Sequence, residues 1–204
     1  MNQLLKVLKS IRRFTSEMSE QIEAQAECRS LKKGDIIKKA GESFEGIYFI
    51  EKGVVRGYEY QGERPITFWF KKENEFILPL DLIGGKDEAD KDLEMELLED
   101  GVLWVLPGSV VSQLLKEFAI FHFHISELGV REIIVIQLQV RLEREKDASR
   151  KYDYLSQQKP DLFVRVSAAH LASFMGISEK EFLHLHKSEL HLPHLTRRHR
   201  KRKK

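Results

Sequence analysis

Apolar and polar positions change their rhythm three times along the chain. Over residues 1–24, Leu4, Leu5, Leu8 and Ile11 recur at helical spacing among charged residues, and "TSEMSEQIEAQ" follows with Ser16 or Ser19 as candidate N-caps. Two short helices are predicted. From Cys28 the runs shorten and turn β-rich: Ile47–Ile50, Val54–Tyr60 and Ile66–Phe70, punctuated by Gly34, Gly41, Gly53 and Gly62. Short runs between turn residues predict an antiparallel sandwich or barrel. "EMELLEDGVLWVLP", Glu94 to Pro107, predicts a closing hairpin around Asp100-Gly101, a favoured tight-turn pair.

Residues 109–147 hold no proline and one glycine, Gly129. Within them Ile136, Leu138, Val140 and Leu142 alternate with polar residues, a strand rhythm. No turn signal interrupts the stretch, which is too long for a strand, so a long helix is predicted. Its middle is apolar on most sides and must bury two faces, one in its own domain and one on a partner. "ASRKYDYLSQQ", 148–158, predicts a further helix before Pro160.

The segment "HLASFMGISEKEFLHLHK", His170 to Lys187, predicts two helices crossing at a tight turn. Ala172 is small where they would touch, and Gly176 tolerates the positive φ of the turn. Ser178 stands at an N-cap position with Glu181 three residues on. Leu171, Met175, Ile177, Phe182 and Leu185 are expected to face inward. An ordinary helical hairpin has the same spacing, so the turn alone does not imply DNA.

Charge changes that picture. The chain of 204 residues has a net charge of +2. Residues 149–204 carry 13 Lys/Arg against 5 Asp/Glu, a net of +8, which leaves −6 on residues 1–148. Six of the eight histidines lie in the basic part, which ends in "TRRHRKRKK". Such asymmetry suits a module for an anionic partner joined to a domain of different character. The tail is expected to be disordered when free.

The order of β-roll, long helix and helix–turn–helix resembles the Crp/Fnr family of bacterial transcription factors. The resemblance rests on "LKKGDIIKKAGESFEGIYFIEKGVVRGY" and on "YDYLSQQKPDLFVRVSAAHLASFMGISEKEFLHL"; the second is similar to a subgroup common in Bacteroidetes-type bacteria. It implies an α+β protein: an N-terminal double-stranded β-helix (jelly-roll-like, cyclic-nucleotide-binding-domain-like), a long dimerisation helix and a C-terminal winged helix–turn–helix. The domain boundaries it implies are 1–117, 118–147 and 148–204. It further implies a homodimeric transcriptional regulator that binds double-stranded DNA, with RNA polymerase as a further partner. The alternative is a β-roll that binds small molecules or proteins, joined to a degenerate DNA-binding half.

By the resemblance, the DNA-reading positions are Ser178, Glu179, Lys180, His184 and Lys187, with Arg197, Arg198 and Arg200 on phosphates. Arginine, the usual partner of guanine, is missing from the helix. The cyclic-nucleotide cassette of the family falls near Phe76, Leu78, Pro79, Lys91 and Asp92. Proline offers no carboxylate to a ribose, Asp92 would repel a phosphate, and Lys91 lacks a guanidinium fork. Cyclic AMP is therefore not expected; no cofactor is implied, and any effector is of another kind. Candidate dimer contacts on the long helix are Phe121, Ile125, Leu128, Val135 and Leu142.

Other chemistry finds little support. His184, His186, His191 and His194 cluster, but no cysteine is fixed beside them, and no metal is expected. His122 and His124 sit among Phe118, Phe121 and Phe123 and are expected at an interface or in a core. Cys28 is a lone cysteine, expected to be structural, and no disulfide follows. No hydrolase, zinc-protease or phosphate-loop motif occurs, and no enzyme is expected. No apolar run reaches the roughly 20 residues of a membrane span, and the N-terminus lacks a signal-peptide pattern. A cytoplasmic protein is expected.

Overall fold

The computed structural model describes residues 2–79 and 91–191, without the side chains of Asn2 and of 189–191. Contacts divide the chain into two compact units, 1–140 and 141–204. The division falls inside the long helix.

The first unit opens with α1 (Asn2–Ile11) and α2 (Ser16–Gln25). Leu4, Leu5 and Leu8 bury the inner face of α1, as their spacing predicts. The cap of α2 is neither expected serine. Thr15 accepts from the Met18 N–H at 3.2 Å, and Ser19 instead donates its hydroxyl back to the Thr15 carbonyl at 3.0 Å.

Among the described residues, two four-stranded sheets follow. β1 (Glu27–Leu31), β8 (Gly101–Pro107), β3 (Gly46–Lys52) and β6 (Phe76–Ile77) form one, in the order β1-β8-β3-β6. β2 (Ile36–Lys38), β7 (Glu94–Leu97), β4 (Val55–Gln61) and β5 (Arg64–Lys71) form the other, in the order β2-β7-β4-β5. The three runs read from sequence become β3, β4 and β5. The hairpin expected around Asp100-Gly101 does not form. β7 and β8 lie in different sheets, each flanked on both edges by other strands, β7 by β2 and β4, β8 by β1 and β3. Neither strand has an edge left for the other, so the turn carries the chain from sheet to sheet.

Tyr48, Ile50, Val55, Met95, Leu97, Leu103 and Val105 fill the space between the sheets. Gly57 lacks a side chain because Trp69, its cross-strand partner, lies over it: a Cβ there would sit 2.2 Å from the indole. Cys28, expected to be structural, is exposed on β1.

α3 (Gly108–Glu117) and α4 (Ala119–Arg144) cover the roll, separated at Phe118. The strand-like alternation of 136–142 thus lies in a 26-residue helix. Among the described residues no helix is long and apolar enough to cross a membrane. Within the second unit, α5 (Ala148–Gln158) starts at Asp147, whose carboxylate accepts from Ser149 N–H at 2.9 Å. α6 (Leu162–Arg165), α7 (Ala168–Met175) and α8 (Glu179–His191) follow. No strand of the expected wing occurs among the described residues of this unit, and residues 192–204 lie outside them.

Candidate functional sites

α7 and α8 form the first candidate site. Ser167 caps α7, accepting from the His170 N–H at 3.2 Å. α7 ends at Gly176, whose φ of +64° is the left-handed conformation anticipated there. The Ile177 N–H reaches the Ala172 carbonyl at 3.0 Å and the Gly176 N–H that of Ser173 at 3.1 Å, a paired closure that satisfies the last carbonyls of the helix. Ser178 then caps α8 by accepting from the Glu181 N–H at 3.2 Å. Leu171, Ala172, Met175, Ile177 and Phe182 are buried, whereas Leu185, expected inward, is half-buried.

Two contacts of α5 with this helix pair went unseen in the sequence. Lys151 on α5 is buried and donates its ammonium to the Met175 carbonyl at 2.7 Å. Tyr152 hydrogen-bonds His186 Nδ1 at 2.8 Å, within a cluster of Phe163, Phe182 and His186 rings. His186 therefore belongs to the packing of α5 against α8.

The outer face of α8 is different. Ser178, Glu179, Lys180, His184 and Lys187 are all exposed. Glu179, Lys180, Leu183, His184 and Lys187 line one open concavity. The histidine cluster does not converge: His184 faces out while His186 turns to Tyr152, and His194 lies outside the described residues. No group of three or more metal-ligating side chains occurs among the described residues. Arg197, Arg198 and Arg200 also lie outside them.

The second candidate site is a cavity of about 290 Å³ between the roll and α4. Phe44, Phe68, Trp69, Ile77, Leu78 and Leu93 line it from the roll, Val135, Ile136 and Gln139 from α4. Of the residues expected around an effector, only Leu78 lines it. Phe76 packs on Phe49 in the core beneath α1, with ring centroids 5.0 Å apart. Pro79 is buried beside Leu78, and Lys91 and Asp92 are exposed.

Three charged residues on the wall were missed: Glu59, Lys71 and Glu132. Lys71 is buried, donates to the Phe76 carbonyl at 2.9 Å and forms an ion pair with Glu132 of α4. Burial pushes the Glu132 carboxyl above its ordinary value, against the pull of Lys71. The available signal was a charged residue inside an apolar run: Glu132 interrupts "GVREIIVI".

The third candidate site is the face of α4. Phe121, Ile125 and Leu128, expected at a dimer contact, are buried in the core of their own unit with α1 and α3. Helical spacing identified an apolar stripe, but α1, α2 and α3 had already covered that one. Leu142, in the second unit, is buried as well, and Val135 lines the cavity. The apolar residues left exposed are Phe123, Val130, Ile133, Ile134, Ile136 and Val140. His124 is a core residue, edge-on to Phe14 at 5.1 Å, while His122 bonds the Leu115 carbonyl at 2.9 Å.

Residues 28–118 match the family model of the cyclic nucleotide-binding domain. No curated protein matches the chain. Among solved structures, a protein from Eubacterium rectale described as a transcriptional regulator of the Crp/Fnr family is 14% identical, with a TM-score of 0.71 over 87% of this chain and 84% of its own. FixK2 of Bradyrhizobium japonicum is 16% identical, with a TM-score of 0.67 over 81% of this chain and 84% of its own. The c-di-GMP-responsive global regulator CLP of Xanthomonas campestris is 17% identical, with a TM-score of 0.63 over 86% and 92%. At these identities the likeness is one of fold: a cyclic-nucleotide-binding-type β-roll followed by helices, as in Crp/Fnr structures.

Proposed function

We propose that the protein is a homodimeric, sequence-specific DNA-binding transcriptional regulator of the Crp/Fnr type, gated by a small effector other than cyclic AMP. The observation that carries this reading is the α7–Gly176–α8 turn. It is closed by backbone bonds and two serine caps, and it leaves Glu179, Lys180, His184 and Lys187 exposed on one helix. The outer face of a second helix presented in this way enters a major groove. Lys180 reaches a guanine, Glu179 accepts from a cytosine amine, and the tail from Arg197 onward neutralises phosphates.

The apolar face of α4 supports dimerisation, and a two-fold dimer reads two half-sites one helical turn apart. RNA polymerase and a cytoplasmic location belong to the same reading. The cavity beside α4 is the effector site. Among the described residues its wall offers no arginine for a cyclic phosphate, and its aromatic lining suits an apolar ligand.

One observation favours the second reading, a β-roll interaction module with a degenerate DNA-binding half: Glu179 puts a negative charge at the start of the reading helix. Fluorescence anisotropy of the full chain on a mixed-sequence duplex, followed against salt, separates the two. A regulator shows log affinity falling linearly with log salt, with a slope of about 0.9 per phosphate contacted. Absence of binding at low salt supports the module.

A further inference from the structure

Lys71, at the end of β5, is the one cation on the cavity wall among the described residues. It is buried, and a buried ammonium without a counter-ion is strongly disfavoured. Its counter-ion comes from another element: Glu132 of α4, which lines the same cavity. The pair ties the helix to the roll at the cavity's edge. The tie is a compromise, because burial works against the ionised form of Glu132 and pushes its carboxyl above the ordinary value. The two partners also differ in access. The Glu132 side chain is 25% exposed and that of Lys71 only 5%. The carboxylate has a way out to solvent, and the ammonium has none.

We propose that the cavity takes a compact apolar carboxylate, whose anion replaces Glu132 at the Lys71 ammonium and whose body packs on Phe44, Phe68 and Trp69. The inference rests on reading this cavity as the effector site of the regulator, and it names the ligand class and the contact that the ligand breaks. The volume of about 290 Å³ admits a body of about one fused bicyclic ring with a short side chain. A carboxylate on such a body makes the same charge-assisted bond as Glu132 and adds apolar burial that Glu132 does not bring. A phosphate is less suited, since a single ammonium is a point charge without the fork that holds two oxygens at once. Once displaced, Glu132 turns to solvent, and α4 loses its ion pair with the roll. Occupancy of the cavity thereby loosens α4 from β5.

The test uses calorimetry on the full chain with indole-3-acetate, its neutral amide and tryptamine as probes. Indole-3-acetate is expected to bind about tenfold or more tighter than either of the others, the scale of one charge-assisted bond. Glu132→Gln removes the competing carboxylate, and should tighten indole-3-acetate about tenfold while leaving the amide unchanged. A Glu132 that only shapes the wall would give no such selective gain. Lys71→Met combined with Glu132→Met keeps both stems without a buried charge, and should bring the acid down to the affinity of the amide. Equal or tighter binding of the amide or of tryptamine by the unaltered chain overturns the proposal, as does binding of none of the three. An acid affinity that is unchanged or reduced in Glu132→Gln, or an acid preference that survives the double variant, overturns it too. No probe requires DNA, so failure here with intact DNA binding overturns the carboxylate and spares the regulator; acid binding without DNA binding does the reverse.

Discussion

Lys151 closes the C-terminal end of α7 by donating its ammonium to the carbonyl of Met175 at 2.7 Å, one residue before the left-handed Gly176. The lysine stem is buried, so the charge arrives at the turn from inside the unit. A charged donor on an otherwise orphaned helix carbonyl is worth about 1.5–3 kcal/mol. Lys151→Met keeps the stem and removes the donor. It should destabilise the second unit by about 1–3 kcal/mol, measured by urea unfolding, and weaken DNA binding by loosening the angle between α7 and α8.

Gly57→Ala tests the close approach of Trp69. The new methyl would stand 2.2 Å from the indole, so the ring or strand must move. Overpacking of this kind costs about 1–3 kcal/mol. The variant should unfold at lower urea concentration, and ligand affinity at the cavity should change because Trp69 forms part of its wall.

Glu132 gives a pH dependence of defined sign. Its folded-state carboxyl titrates above the ordinary value of 4.5 because burial disfavours the charged form. Folding therefore favours the protonated group, and the penalty for ionising it is present at neutral pH and absent below the unfolded value. Measured as a difference from Glu132→Gln, the wild-type chain should gain stability as pH falls from 7 through the mid-4 range. A loss over that window would mean that Lys71 outweighs burial and holds the carboxyl low.

On α4 the buried and exposed apolar residues separate two effects. Ile134 is 61% exposed in the single chain. Ile134→Glu should leave protomer stability within about 0.5 kcal/mol, as surface changes do, yet shift the chain to monomer in sedimentation equilibrium. Leu128→Ala should do the opposite, destabilising the protomer by about 2–5 kcal/mol through a core cavity. An unchanged dimer in Ile134→Glu would remove this face from the interface.

What the sequence showed depended on range. β3, β4 and β5 were legible because each is a β-rich run bounded by turn residues. α5 was legible because its apolar spacing and the proline after it are local. The turn at Gly176 was legible for the same reason, since one residue must take a positive φ. The separation of β7 and β8 into different sheets was not, because Asp100-Gly101 signals a turn and not how the strands beside it pair. Phe121, Ile125 and Leu128 were placed on a partner because periodicity identifies an apolar stripe without saying what covers it. Lys151–Met175 and Lys71–Glu132 join residues 24 and 61 positions apart, beyond any local pattern.

Selection of duplexes from a random-sequence pool by the purified full chain, run in parallel with Lys180→Ala, decides whether α8 reads DNA sequence. The expected result is an enriched pseudopalindrome with half-sites about one helical turn apart, roughly 10 base pairs, and an altered base preference within each half-site for the variant. A pool that stays random, or the same enriched sequence for both proteins, would contradict the reading of α8 as the helix that recognises DNA sequence through Lys180.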